Sequence, residues 1–311
     1  MIEEKMESME TCFFRLNPRI WESVKKTDMD ALFLSLSEIK EPTIVTGVGG
    51  SSVVSAFFAK VLSEKNHSIC TEMMPRDLLY RNLDGYRNIV ACSYSGNNIG
   101  VKASFDNDRK HYLFSRNRKE GVLPLQYETE EEELSFVSIA ATFIPMALLF
   151  LYYTDNDQQL LDRILKSEEM YMLDSNKNVY EIVYGYETGV AARLLESTIV
   201  EGSLGAVVLH EKYNYAHGRC QLNSVYANPL IYYCNQSEYD QLLKKEFCDF
   251  YQDKLIIEQK YEDPIVEDFY QSLQAMKFIK RLAQAKGRDI SEKKVEDISE
   301  VLYRFQGKMA L

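Results

Sequence analysis

Basic charge is in short supply in this sequence: 36 Lys and Arg stand against 47 Asp and Glu, for a formal net charge of -11. Neutralising a nucleic-acid backbone takes clustered lysine and arginine, and they dominate no stretch here. Sequence-independent nucleic-acid binding is therefore excluded, and an anionic ligand has to be held locally. Paired cysteine spacing is missing too. The six cysteines (Cys12, Cys70, Cys92, Cys220, Cys234, Cys248) include no CxxC, and several lie in apolar runs such as "NIVACSY", which points to buried free thiols in a reducing compartment. No His/Cys/Asp cluster has metal-ligand spacing, so neither a metal nor another cofactor is expected. The acidic start "MIEEKMESME" lacks the basic and apolar regions of a signal peptide,. The most apolar segment, "IAATFIPMALLFLYY" (139–153), is too short for an ordinary membrane span and contains Pro145,. The expectation is a cytoplasmic protein without membrane association.

What the chain does have is length for two domains, 311 residues, and 46% hydrophobic content to build their cores,. Residues 10–40 carry "FFRLNPRIWESV" and "MDALFLSLSEI", two apolar-periodic pieces that predict helices ahead of the first sheet,. Short β-branched runs then alternate with helical stretches: "TIVTGV", "HSICTEMM", "NIVACSY", "KHYLFSR" and "VLPLQY", followed by an apolar helix from about Val137 to Tyr153. Strands separated by helix-sized segments imply crossover connections and a parallel sheet covered on both faces. Polar segments at 154–159 and 174–178 frame a boundary, after which "VYEIVYGYETGVAARLLESTIVEG", "PLIYYC" and "KLIIEQKY" restart the pattern. The predicted organisation is N-terminal helices over 1–40, a first α/β domain over 41–165, and a second over 166–311 by internal duplication.

In an open parallel sheet a ligand sits beyond the carboxyl ends of the strands, where helix N-termini offer backbone N–H groups. "GVGGSS" (47–52) is placed at such an end. Gly47, Gly49 and Gly50 allow a tight turn and close approach of the backbone, and Ser51 and Ser52 bring hydroxyls. The turn cradles a phosphate or serves packing alone; it lacks the lysine of a P-loop. "ACSYSGNNIGV" (91–101) offers Ser93, Ser95, Gly96, Asn97 and Asn98 at the end of another strand. Such residues also cap helices. One cap needs one of them, and four of the five carry polar side chains.

Together "GVGGSS" and "SYSGNN" resemble the strand-end motif pair of sugar isomerase (SIS) domains. "ELSFVSIAATF" (133–143) is similar to the family's following loop and helix start, where Ser138 adds a hydroxyl and Glu133 aligns with a glutamate near the sugar. The second half resembles the catalytic half of tandem SIS enzymes such as the isomerase part of glucosamine-fructose-6-phosphate aminotransferase and the fructosamine-phosphate deglycases. There a helix ends in a catalytic Glu, matched by Glu201 in "LLESTIVEG", and a His–Gly pair follows, matched by His217 and Gly218 in "NYAHGR". "LQAMKFIKRLAQAKGRDI" (273–290) is similar to the last helix and its Gly-Arg-Asp turn. The resemblance implies two flavodoxin-like three-layer (α/β/α) SIS domains with mainly parallel sheets, binding a phosphorylated sugar or sugar-amine. It also implies a homodimer or higher homo-oligomer, since relatives complete their sites with a neighbouring subunit's histidine.

The implied chemistry is aldose–ketose isomerisation, or cleavage of a fructosamine phosphate, through an enediol or enolamine. One carboxylate, Glu201, moves a proton between adjacent carbons, and an imidazole, His217, opens the sugar ring. Outside the motif context Glu201 reads as a solvated helix-end residue and His217 as a turn residue. His210, Glu211 and Lys212 stand close by as substitutes, and His67 and His111 read as surface or satisfied histidines. Arg219 replaces the family's proline; it grips a carboxylate or second phosphate, or lies on the surface. Asn98 stands where the family has Thr. Lys293, Lys294 and Lys308 are the candidates for the lysine that aminotransferase relatives use near the C-terminus. The absence of a glutaminase domain favours isomerisation or cleavage over amination, and no helix-turn-helix precedes the sheet. The run "ETEEEE" (128–133) reads as a solvated loop. The competing function is a non-catalytic sugar-phosphate-binding regulator, which needs the cradle but neither Glu201 nor His217.

Overall fold

The computed structural model describes residues 6–105, 107–168, 171, 173 and 177–292. The chain forms two compact units. Among the described residues, the first runs to Leu161 and takes in Ser291 and Glu292, and the second spans Asp162–Ile290. The candidate lysines Lys293, Lys294 and Lys308 lie outside the described residues.

Unit 1 begins with α1 (Met9–Lys26) and α2 (Met29–Ser37), which start where a serine and an aspartate can cap them. Ser8 Oγ accepts from Thr11 N–H and Asp28 Oδ1 from Ala31 N–H, satisfying donors that a helix N-terminus leaves unpaired. Five strands follow: β1 (Thr43–Thr46), β2 (Cys70–Glu72), β3 (Asn88–Cys92), β4 (Lys110–Ser115) and β5 (Leu123–Gln126), all parallel in the order β2-β1-β3-β4-β5. β1 and β3 are buried along their whole length, as strands covered on both faces must be. Their connections carry α3 (Gly50–Asn66) and α4 (Ile99–Ser104), and α5 (Ala140–Tyr153) follows β5. Residues 142–152 of α5 are all buried; a helix apolar on every side belongs inside a domain, and α1 and α3 pack against it.

This strand order is the flavodoxin-like one, whose direction of progression reverses between β1 and β3. Ligands of such sheets bind at that reversal, outside the carboxyl ends. The acidic run after β5 is half exposed, and its carboxylates are also paired: Glu130 with Lys26 at 2.8 Å, Glu131 with Arg15 at 2.6 Å and Glu132 with Arg116 at 2.7 Å.

The unit boundary falls inside α6 (Gln158–Leu165). Unit 2 holds β6 (Val179–Tyr184), α7 (Gly189–Glu201), β7 (Ala206–Glu211), α8 (Lys212–Ala216), β8 (Leu230–Cys234), α9 (Glu238–Phe250), β9 (Lys254–Glu258) and α10 (Pro264–Ala285). Its parallel sheet has the order β7-β6-β8-β9, which repeats the first four positions of the sheet in unit 1. Pro264 at the first position and the Asp263 cap start α10,. Asp268 on α10 then caps α7, accepting from Val190 N–H at 3.1 Å and Ala191 N–H at 2.9 Å.

Candidate functional site

In unit 1 the carboxyl end of β1 passes into α3 through a turn that only glycine allows at its first position. A Cβ on Gly47 would fall 2.2 Å from the Ser51 carbonyl oxygen, and Gly49 has φ 59°. Gly50 opens α3, and a Cβ there would meet Thr142 Oγ1 at 2.9 Å and Ser138 Cβ at 3.6 Å. The first turn of α3 therefore lies against the first turn of α5. Gly100 does the same for α4: its Cβ would fall 2.6 Å from Val48 Cγ2. Three segments, 47–52, 93–100 and 138–142, thus converge on one edge. No side chain caps α3. Val48 and Gly49 are exposed, while Gly50, Ser51 and Ser138 are half-buried. A helix of this length presents partial positive charge and backbone donors at that end, which suits an oxyanion.

The converging side chains divide into two groups. Ser52 Oγ donates to the Gly49 carbonyl at 2.7 Å. Ser93 Oγ accepts from Gly96 N–H at 3.0 Å and from Asn98 Nδ2 at 3.2 Å, and Asn98 Oδ1 accepts from Val101 N–H at 2.9 Å. These three hold the loops in shape. Gly96, at φ 72°, lets its loop press against Ser115. Ser51, Ser95, Asn97 and Ser138 are the more accessible ones: Asn97 is exposed and the other three are half-buried. Glu133 folds under α5, accepting from Ile139 N–H at 3.1 Å and Ala141 N–H at 2.9 Å. Burial pushes its carboxyl up and those backbone donors oppose it,. Its charge serves as the cap that α5 otherwise lacks.

The glycine contacts predict an ordered pair of effects. Gly47→Ala meets backbone that cannot rotate away and is expected to cost about 1–3 kcal/mol; Gly50→Ala meets only the end of a threonine side chain and costs less. Urea midpoints followed by fluorescence of Trp21 in α1, the single tryptophan, check the ranking, and equal midpoints would refute it.

In unit 2, Glu201 is the last residue of α7 and half-buried. Burial pushes its carboxyl above the ordinary glutamate value, while Ser197 Oγ–H, donating to Oε1 at 2.9 Å, works against that rise. The following turn leads into the amino end of β7, where Ala206 N–H donates to Asn178 O at 2.7 Å. His217 closes α8, beyond the other end of β7. It is exposed, as are Gly218, at φ 101°, and Arg219. A strand like β7 spans roughly 17–20 Å, so one copy of unit 2 does not bring Glu201 and His217 together.

Of the neighbouring substitutes, His210 is buried, and Glu211 and Lys212 are engaged in structure. His210 is 2% exposed, with neither ring nitrogen hydrogen-bonded, and Glu181 Oε2 lies 3.6 Å away. Glu211 caps α8 through Asn214 N–H at 3.0 Å. Lys212 Nζ lies 2.6 Å from Glu187 Oε1 and is also bonded to Asp240 Oδ2. His67 ends α3 on the surface, and His111 Nε2 bonds Asn107 Oδ1 at 3.0 Å.

No protein-family model matches the chain, and no curated protein matches it in sequence. Its fold matches several solved structures. The C-terminal domain of glucosamine-fructose-6-phosphate aminotransferase from Francisella tularensis aligns over 94% of this chain and 100% of that one, with TM-score 0.65 and 14% identity. Tagatose-6-phosphate ketose/aldose isomerase from Escherichia coli aligns over 92% and 96%, with TM-score 0.70 and 14% identity. Glucosamine-6-phosphate deaminase from Thermotoga maritima aligns over 88% and 97%, with TM-score 0.64 and 14% identity. At these identities the likeness establishes a shared fold alone: α/β, with parallel sheets. Among the described residues no helix is long and apolar enough to cross a membrane, and no three His, Cys, Asp or Glu side chains are grouped to hold a metal ion.

Proposed function

We propose that the chain is a tandem pair of SIS domains acting on a phosphorylated sugar, as an aldose–ketose isomerase or a fructosamine-phosphate deglycase. The observation that carries this is the convergence of two strand-end segments and the start of α5 around the uncapped N-terminus of α3, in a fold shared with a ketose/aldose isomerase. The phosphoryl group accepts hydrogen bonds from backbone N–H groups at Gly49 and Gly50, from the hydroxyls of Ser51, Ser95 and Ser138, and from the Asn97 amide. Ser52, Ser93, Gly96, Asn98 and Glu133 keep those donors in place.

Glu201 removes a proton from one sugar carbon and returns it to the adjacent one through an enediol, or an enolamine when an amine is attached. His217 passes a proton between the ring oxygen and the anomeric hydroxyl to open the ring. The exposure of His217 and its distance from Glu201 favour a homodimer in which a second copy supplies the imidazole. Arg219 beside it meets a carboxylate or second phosphate on a larger substrate.

The same separation within one copy favours a second reading, a sugar-phosphate sensor without turnover. Incubation with ketose and fructosamine phosphates in D2O, followed by proton NMR at C1 and C2, separates the two. Deuterium incorporation supports the enzyme; binding without incorporation across the panel supports the sensor. Mixing Glu201→Gln with His217→Ala subunits, each inactive alone, is expected to restore about one quarter of wild-type activity, because half the dimers are mixed and each has one intact site. No recovery after subunit exchange would remove the shared site.

A further inference from the structure

The carboxyl edge of the sheet in unit 2, where an open α/β sheet ordinarily takes its ligand, is filled by the protein's own charges. Lys212 is 4% exposed and bonds the carboxylates of Glu187 and Asp240, and Asn235 adds its backbone N–H to Asp240 at 2.7 Å and its amide to Glu187 at 3.0 Å. An external anion has no vacancy there. At the opposite, amino edge lies an open cavity of about 470 Å³ lined by Asn178, Ser203, Leu204, Gly205, Lys286 and Arg288, with Asn178, Ser203 and Arg288 exposed to solvent.

The lining has the character of an anion site. Lys286 Nζ donates to the Lys177 carbonyl at 2.9 Å and to Asn178 Oδ1 at 3.3 Å, both neutral acceptors. Burial lowers its pKa and the neighbouring Arg288 charge lowers it further,. Two cations held together in a chain of net charge -11 are relieved by a bound oxyanion. The C-terminal dipole of α10 supplies only about half a charge against them. Backbone also comes close: a Cβ on Gly205, at φ 158°, would fall 2.8 Å from Asn178 O, and Ser203, at φ 55°, adds a hydroxyl to the lining.

We propose that this cavity is a second oxyanion-binding site, separate from the cradle in unit 1, taking a small molecule that carries a phosphate or a carboxylate. Lys286 and Arg288 bind the anionic group, and Ser203 and Asn178 bound the remainder of the ligand.

Protection of Lys286 from acylation tests it on the full chain. The protein is treated with an N-hydroxysuccinimide acetate at constant ionic strength in chloride, inorganic phosphate, succinate or fructose 6-phosphate, and modification is read by peptide mass spectrometry. Phosphate, succinate or both slow Lys286 acylation relative to chloride, about five-fold at about four times the dissociation constant, while the exposed Lys245 on α9 is unaffected. Protection by phosphate and fructose 6-phosphate alone assigns a phosphorylated ligand; protection by succinate alone assigns a carboxylate. Arg288→Ala abolishes protection. Equal acylation in all four solutions, or protection that survives Arg288→Ala, overturns the site. Repeating the series in Gly50→Leu, which obstructs the edge of unit 1, leaves Lys286 protection intact, so failure here is distinguishable from failure of the proposed function.

Discussion

Replacing Glu201 with Gln is expected to lower kcat by about 10²–10⁴-fold, the usual contribution of a positioned general base. KM should change little, because a base acting in the transition state adds nothing to ground-state binding. The fold should tolerate the change. Burial raises the Glu201 carboxyl above its unfolded value, so this group favours the folded state in its protonated form, and that contribution is lost as pH rises through the folded pKa. An amide of the same shape escapes that loss, so Glu201→Gln at neutral pH should be no less stable than the wild type. A parallel fall in activity and thermal midpoint would count against catalysis. The pH profile adds an independent sign: the base must be ionised, so the acid limb of kcat/KM should lie above the ordinary glutamate value. Ser197 Oγ–H stabilises the carboxylate. Ser197→Ala should therefore move that limb to still higher pH, whereas Glu196→Gln, which removes a like charge that raises the same carboxyl, should move it down.

Much of unit 1 is legible in the sequence because its strands and turns are local features. "TIVTGV", "NIVACSY" and "KHYLFSR" are short β-branched or aromatic runs bounded by polar turns, and they become β1, β3 and β4. Gly47 is forced by a backbone contact four residues away, which is why glycine at a strand end is informative. The division of labour inside the loops is not local in this way. Ser93 and Ser95 are equivalent in the sequence, yet Ser93 locks the loop through Gly96 and Asn98 while Ser95 stays more accessible. Glu133 continues an acidic run, and only the return of α5 onto it makes it a cap. The strand Ala206–Glu211 has no turn signal separating it from the charged residues that follow and is passed over in the sequence-based pattern. It is this strand that separates Glu201 from His217.

Lys212→Met carries the largest expected effect on stability. The ammonium, the Glu187 carboxylate and the Asp240 carboxylate come from the segments that follow β7, β6 and β8: Lys212 opens α8, Glu187 lies in the turn after β6, and Asp240 in the first turn of α9, with Lys212 separated from its two partners by 25 and 28 positions in the chain. Their meeting follows from the strand order alone. Removing the cation leaves the buried Asp240 carboxylate and the half-buried Glu187 carboxylate with only the neutral donors of Asn235 between them, which costs up to about 3–5 kcal/mol. Burial alone would raise the Glu187 carboxyl, but the Lys212 hydrogen bond and charge outweigh it and hold it below its ordinary 4.5. Its wild-type contribution is therefore present above pH 4.5 and lost as pH falls through the lowered folded value. Without Lys212 the two largest causes of that lowering are gone. The gap between wild type and variant should be widest near neutrality and narrow toward pH 4. Urea unfolding followed by far-UV circular dichroism should show the early transition, with Trp21 in unit 1 lagging behind it. Adding Glu187→Gln and Asp240→Asn to Lys212→Met should recover much of the loss, because the cost comes from unpaired charge more than from the missing contact. If the triple variant is no more stable than Lys212→Met, packing of the lysine stem, and not charge, holds this edge of the sheet together.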